Sequence, residues 1–373
     1  MNLTLAQPLL GGLSPQTFVR RHWQKKPLLI RQAIPGVNAP IERTQLFEMA
    51  GRDDVESRLV VHDAGRWRLR HGPFKRRSIP SPAKRQWTLL VQGLDLHMQA
   101  AHELLAQFRF VPDARLDDLM VSYATDGGGV GPHFDSYDVF LLQVQGRRRW
   151  RIGRLKDPAL EPEAPLKILS NFKAEQEWLL EPGDMLYLPP RWAHEGVAEG
   201  ECMTCSIGFR APARHQWGSE VLQRMLDAAE VPDAVVLYQD PLQPATAAPA
   251  RIPDALNAFT VDAIKRLVAD PRAIACALGE IQTDLKSNVW FEAGAALGHH
   301  EGVRLDRRTR MMYDRWFLFV NGESYRTAGL DAKLMRRLAD GRALAAPHVA
   351  KLSEEARSLL DQWAKAGWLH AAE

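Results

Sequence analysis

The sequence has 373 residues, 46% of them hydrophobic, with a formal net charge of +3. That length can bury a sizeable core and divide into two or three domains, and the near-neutral balance gives no case on charge alone for a nucleic-acid binder. Three cysteines (Cys202, Cys205, Cys276) are too few for a disulfide framework and fit a reducing cytoplasm. The amino terminus lacks a basic region followed by a sustained apolar run, so no signal peptide is expected. No apolar stretch is long enough to span a bilayer. Basic runs such as Arg20 to Lys26 and Lys75 to Arg77 read as solvated surface.

In chain order, Pro15 to Trp23 has helical spacing and Lys26 to Ile34 reads as a strand. From about Asp117 to Pro212 the texture is of short strands separated by Gly and Pro turns: DLMVSYA, SYDVFLLQV, RRRWRIG, EWLL, DMLYL and ECMTCSIGF. Short strands without intervening long helices argue for an antiparallel sandwich or jelly roll. After Pro212 the pattern turns helical: SEVLQRMLDAAE, a Pro/Ala-rich linker, then DALNAFTVDAIKRLVAD. The last eighty or so residues mix helices with a hairpin in which WFLFV meets Asn321-Gly322 and ESYR, a combination that suits a winged-helix-like module.

The stretch GGGVGPHFD (Gly127 to Asp135) poses a choice between a phosphate loop and a metal site. A phosphate loop leads into a helix, whereas these glycines lead into a strand pattern. On a strand His133 and Asp135 share a face, and LEPGDMLYLPPRWAHEG offers a third ligand, His194. Two histidines and one carboxylate form the facial triad of non-haem iron(II) oxygenases. The glycines then let the backbone turn beside a site that stays open. His215, His299 and His300 have no matching carboxylate and read as surface or structural. Cys202 and Cys205, three apart on a strand, face opposite ways and read as structural, and Cys276 as packed in a helix.

In RRRWRIG, Arg148 groups with Trp150 and Ile152 on the apolar face. A guanidinium there needs an anion, either a bound dicarboxylate or an internal salt bridge.

The motif stretch GGGVGPHFDSYDVFLLQVQGRRRW, with HWQKKPLLI upstream and SIGFRAP downstream, resembles the JmjC-type oxygenases and specifically the bacterial ribosomal oxygenases. The resemblance spans nearly the whole chain. It implies a mainly β fold: a double-stranded β-helix (jelly roll) of JmjC/cupin type in residues 1–213, with its core about 99–213. A helical dimerisation segment (214–275) and a winged-helix-like domain (276–373) follow. It further implies a cytoplasmic homodimer using iron(II), 2-oxoglutarate and dioxygen. The implied reaction is hydroxylation, at the β-carbon, of an arginine of large-subunit ribosomal protein L sixteen. By position, His133, Asp135 and His194 would ligate iron and Arg148 would bind the distal carboxylate of 2-oxoglutarate. Many JmjC demethylases use lysine for that contact. Ser122 matches a small polar cosubstrate contact, and Thr204 stands where relatives carry a last-strand contact. A target guanidinium needs a carboxylate and a flat face, which Asp118 and Tyr137 could provide; the alternative is that Asp118 pairs with a neighbouring arginine. Two alternatives are an N-methyl demethylase using the same site, and a non-catalytic cupin whose winged-helix end binds nucleic acid; the near-neutral charge and the intact triad count against the second, and direct nucleic-acid binding is not expected.

Overall fold

The computed structural model describes residues 2–229, 235–298 and 301–372; His299 and His300 lie outside the described residues. Two compact units emerge, Met1–Ala211 with Asn288–Trp290, and Pro212–Ser287 with Phe291–Glu373.

In the first unit, α1 (Pro15–Arg21) starts at Ser14, whose side chain accepts the Thr17 amide, with Pro15 in the first turn. After β1 (Leu28–Ile30) and α2 (Arg43–Met49) come β2 (Ser57–Asp63), β3 (Arg66–His71) and β4 (Trp87–Val91). Then follow α3 (Leu94–His97), α4 (Gln99–Ala106), β5 (Leu116–Ala124), β6 (Val139–Arg154), β7 (Gln176–Leu180), β8 (Met185–Leu188) and β9 (Trp192–Phe209). All nine strands join in one sheet of order β1-β8-β6-β9-β5-β4-β2-β3, with β7 also on β6, and every pairing is antiparallel.

The strands expected as SYDVFLLQV and RRRWRIG are one 16-residue strand, bent rather than broken. The bend sits at Gly146 (φ 62°), where a Cβ would lie 2.1 Å from the Glu201 carbonyl oxygen. The register with β9 slips on either side of Gln145, as a bulge requires. Strand β9 likewise runs back past ECMTCSIGF to include His194. The hairpin β2–β3 turns on Ala64 and Gly65, both at positive φ, and extends the sheet with residues that showed no strand pattern of their own.

An aromatic cluster of Phe18, Trp23, Phe140, Tyr187 and Phe209 seats α1 against the sheet, each buried ring contributing roughly 1.5–3 kcal/mol. Within it Asp138, fully buried, accepts hydrogen bonds from the Tyr187 hydroxyl (2.6 Å) and Gln24 Nε2 (3.1 Å). Burial and this carboxylate push the Tyr187 hydroxyl far above its usual range. Asp138 thereby fixes the chain three residues after Asp135.

The second unit contains α5 (Arg214–Asp227), α6 (Asp254–Leu267) and α7 (Pro271–Thr283). Beyond them, β10 (Gly302–Leu305), β11 (Met311–Tyr313), β12 (Leu318–Val320), β13 (Glu323–Tyr325), α8 (Gly329–Gly341), β14 (Ala343–Leu344), α9 (Ala346–Val349), α10 (Glu354–Lys365) and β15 (Leu369–Ala372) form two three-stranded sheets and three helices. Their shared core includes Val320, Leu338, Leu360 and Trp363. Asn321 and Gly322 form the expected turn, both at positive φ.

Asp306 clasps this module. It is 4% exposed, accepts from Arg308 Nε (2.8 Å), pairs with His370 Nε2 (3.0 Å), and donates its backbone N–H to the Trp368 carbonyl. Burial works to raise its carboxyl, but the Arg308 and His370 contacts outweigh it and hold the group at about 2. Its contribution is therefore in full above the ordinary value of 3.8 and fades as pH falls toward 2. Asp306→Asn should lose about 2 kcal/mol at neutral pH, read from hydrogen exchange in β10 and β15, and should flatten the acid limb. A variant as stable as the wild type at pH 7 would contradict this.

Candidate metal centre

The glycine run brings backbone onto backbone. A Cβ at Gly128 would lie 2.4 Å from the Trp87 carbonyl oxygen, and one at Gly129 would lie 2.5 Å from that of Gly196, so only glycine lets this loop press against β4 and β9. Just beyond, His133 and His194 exchange backbone hydrogen bonds: His133 N–H to His194 O at 3.0 Å and the reverse at 2.8 Å. His133 and Asp135 thus lie in an extended segment preceding β6 and joined to β9 by an isolated bridge, not on a regular strand. The alternation still delivers both to one place. The Asp135 carbonyl is fixed by the Arg191 amide (2.8 Å). One donor atom from each of His133, Asp135 and His194 lies within 4.8 Å of the others, so the three could hold a metal ion.

Ring orientation is set by carbonyls. His133 Nδ1 is 2.9 Å from Gly131 O, and His194 Nδ1 is 3.0 Å from Trp192 O. A carbonyl only accepts, so each Nδ1 carries a proton, and in the neutral ring Nε2 keeps the lone pair that a metal needs. His194 Nε2 lies 3.7 Å from Asp135 Oδ2. Burial, then the neighbouring His133, push the His194 imidazole down to about 4, which keeps it in the neutral, ligating form.

These residues open into a cavity of about 350 Å³ that Ser122, Arg148 and Trp150 also line. Arg148 is 5% exposed, and its Nη1 donates to Ser122 Oγ at 3.0 Å. Its guanidinium carbon lies 5.8 Å from the Trp150 ring centre. Its Nε and Nη2 are buried with no hydrogen-bond partner among the described residues, so no internal salt bridge satisfies them. An uncompensated buried charge is costly, and a planar fork with two unused N–H groups matches a carboxylate. Zinc would also accept two histidines and a carboxylate. The buried guanidinium beside them adds a demand for an organic anion, and so favours iron with a keto-acid cosubstrate.

Asp118 and Tyr137 line the same cavity. Asp118 is buried, and its Oδ2 accepts the Gly93 amide (3.0 Å). Tyr137 is 41% exposed; its hydroxyl is pushed well above the usual range by local burial, then by the charges of Asp135 and Asp118. Thr204 does not line the cavity. It pairs in register with Ser122, but its hydroxyl donates to Gln143 Oε1 (2.8 Å) beside the bulge. His215 is exposed on α5, Cys202 and Cys205 are buried, and Cys276 is half-buried on α7. Arg58, Thr88 and Gln92 complete one wall, and Lys167 reaches in from the β6–β7 connection. None of these four was singled out from the sequence. The signal was alternation: residues 58 and 60, and 88, 90 and 92, all face inward from β2 and from β4 and its end.

Residues 103–217 match the JmjC domain family, and residues 292–370 match the ROXA-like winged helix. A curated relative, the ribosomal protein uL16 3-hydroxylase of Escherichia coli, is 40% identical over 240 residues; these span 63% of this chain and 62% of that protein, just short of two thirds of its length. The crystal structure of Escherichia coli YcfD superposes with a TM-score of 0.85 at 30% identity, covering 95% of this chain and 97% of that one. A YcfD structure described as a ribosomal oxygenase in complex with cobalt and 2-oxoglutarate gives a TM-score of 0.80 at 29% identity, over 95% and 97% of the two chains. With both family regions in the same order and a 30%-identical structure matched almost end to end, this chain belongs to the JmjC-type ribosomal oxygenases, a family that depends on iron(II) and 2-oxoglutarate.

Proposed function

We propose that this chain is an iron(II)- and 2-oxoglutarate-dependent hydroxylase of a ribosomal protein, and that it oxidises the β-carbon of an arginine in uL16. The observation that carries this reading is the buried Arg148, with two unused N–H groups, in the same cavity as His133, Asp135 and His194. Support for the substrate comes from the name of the Escherichia coli relative, a uL16 3-hydroxylase. When bound, iron and 2-oxoglutarate together supply the oxidation by dioxygen.

The protein's own residues position and shield. His133 Nε2, His194 Nε2 and an Asp135 oxygen hold the metal. Arg148, steadied by Ser122, receives the distal carboxylate and so fixes which end of the cosubstrate meets the metal. Trp150, whose ring closes on Gly196, walls this inner end from water. Within the cavity, the Asp118 carboxylate pairs with the substrate guanidinium and the more exposed Tyr137 ring lies against its plane. Three carboxylates line the cavity, Asp117, Asp118 and Asp135; with Asp135 on the metal, the other two suit a cationic side chain.

The protein acts as a cytoplasmic homodimer in this reading. Helix α6 has no buried residue, and its Leu256, Phe259, Val261, Ile264 and Leu267 are exposed. An amphipathic helix with its apolar face uncovered needs a partner, and the same helix of a second copy is the simplest.

Incubation with uL16, iron(II), 2-oxoglutarate and oxygen should add one oxygen to a single arginine, located by tandem mass spectrometry. His194→Ala should abolish the product and the visible absorption of bound cobalt(II). Asp118→Ala should keep cobalt and 2-oxoglutarate binding yet lose product on the order of 100-fold. Full activity in His194→Ala, or loss of methyl instead of gain of oxygen, would end this reading. Arg148→Ala should raise the KM for 2-oxoglutarate about 30-fold or more, and Arg148→Lys should recover part of it, since lysine lacks the fork. An unchanged KM would make Arg148 structural. Light scattering should find a dimer at micromolar concentration that F259D/I264D converts to monomer; a wild-type monomer would contradict the assembly.

A further inference from the structure

Between Asp63 and Asp95 the chain carries eight Lys and Arg residues and no Asp or Glu, leaving forty basic against forty-five acidic residues elsewhere. The small net charge therefore hides a strongly basic segment in an otherwise acidic chain. All eight basic side chains are exposed.

They form one face. Arg66, Arg68 and Arg70 alternate on β3 with Trp67 and Leu69; Leu69 lines the cavity and Trp67 lies against Gly131, so the arginines point the other way. The following loop runs beside them. Arg70 Nη1 donates to the Ser78 carbonyl (3.3 Å) at one end, and Lys84 reaches Asp63, the partner of Arg66 across the hairpin, at the other (3.8 Å). Arg70 is steadied over the Phe74 ring and Arg76 over Phe47. Lys84 and Arg85 have carboxylate partners in Asp63 and Asp126. Arg66, Arg68, Arg70, Lys75, Arg76 and Arg77 have none among the described residues.

Elsewhere on the sheet the arginines are partly paired: on β6, Arg149 meets Glu177 and Glu199 and Arg151 meets Glu195, while Arg147 and Arg154 have no carboxylate partner among the described residues. Two such residues on one strand are a smaller group than the six gathered here. Charges on an edge strand such as β3 do discourage strand addition, but that purpose does not account for Lys75, Arg76 and Arg77, which lie outside the strand. A cluster of unpaired like charges costs self-repulsion that a polyanion would relieve.

We propose that this face binds the phosphate backbone of RNA. Five of the six cations without a carboxylate partner are arginines, whose fork suits phosphate, and on β3 they recur about every 6.7 Å, a repeat that can track a phosphate chain. No large hydrophobic residue between Val19 and Tyr137 is exposed, so the face offers nothing to insert into a membrane. The choice of RNA over another polyanion rests on the ribosomal-protein reading above, since such a substrate is itself an RNA-binding protein.

The test uses the full-length protein and a labelled single-stranded oligouridylate of about 20 nucleotides, followed by fluorescence anisotropy. Wild type should bind with a salt slope of about −0.7 per phosphate engaged. R66E/R68E/R77E should raise the Kd at least about tenfold and reduce the slope by about 2, while leaving hydroxylation of a short uL16 peptide unchanged. R304E/K333E/K351E, an equal charge change at exposed sites in the second unit, should alter the Kd less than about twofold, because screening confines such effects. No binding at low salt, equal losses in both variants, or capture by phosphatidylserine vesicles without RNA binding would each overturn the proposal. Failure of the wild type to hydroxylate the peptide would sink the enzymatic reading instead, and the anisotropy result would be read separately.

Discussion

A guanidinium only 5% exposed, with one hydrogen bond among the described residues, organises the first unit. Arg148 stands on the longest run of pairing in the sheet, β6 against β9. The bulge at Gly146 sets its direction: with the bulge, the second half of β6 turns its apolar face, Arg148 included, toward Ser122 on β5. The cost of holding that charge in the interior is tolerable only if an anion joins it. The cavity, its wall of tryptophan and its three metal-donor side chains all surround that requirement.

The donor triad depends on the same strands by a different route. His194 comes from β9, and the reciprocal backbone bridge ties His133 to it, so the two backbones hold both rings in place relative to each other. Carbonyls of Gly131 and Trp192 fix both tautomers without any side-chain partner. Asp135 is tied through Arg191 on one side and, three residues on, through the buried Asp138–Tyr187 hydrogen bond. Backbone groups carry most of this orientation. Mutations in surrounding side chains should therefore disturb the triad less than changes at the glycines that allow the close approach.

Much of this was legible in the residues because it is written in short-range pattern. The HxD spacing, the Pro-Gly-Asp turn ahead of His194 and the alternation that groups Arg148 with Trp150 needed only local geometry. The Asn321-Gly322 turn was equally plain. What escaped was long-range. Whether SYDVFLLQV and RRRWRIG are two strands or one bent strand depends on Glu201 lying against Gly146. That β2, β3 and β4 continue the sheet, and bring Arg58 and Gln92 into the cavity, depends on pairing β4 with β5. Thr204 shares a register position with Ser122, yet its hydroxyl is taken by Gln143, a contact no spacing rule reveals. The basic face on β3 was masked by averaging charge over the whole chain.

In the proposed enzyme, Arg148 and the His133–Asp135–His194 set address the two ends of one dicarboxylate. A crystal structure with manganese(II) and a non-reacting 2-oxoglutarate analogue tests it most directly. The expected result is a metal held by those three side chains with the keto-acid end of the analogue beside it. The distal carboxylate should lie within hydrogen-bond distance of Arg148 Nε or Nη2 and of Ser122 Oγ. A distal carboxylate bound elsewhere, with Arg148 left as it stands, would contradict it.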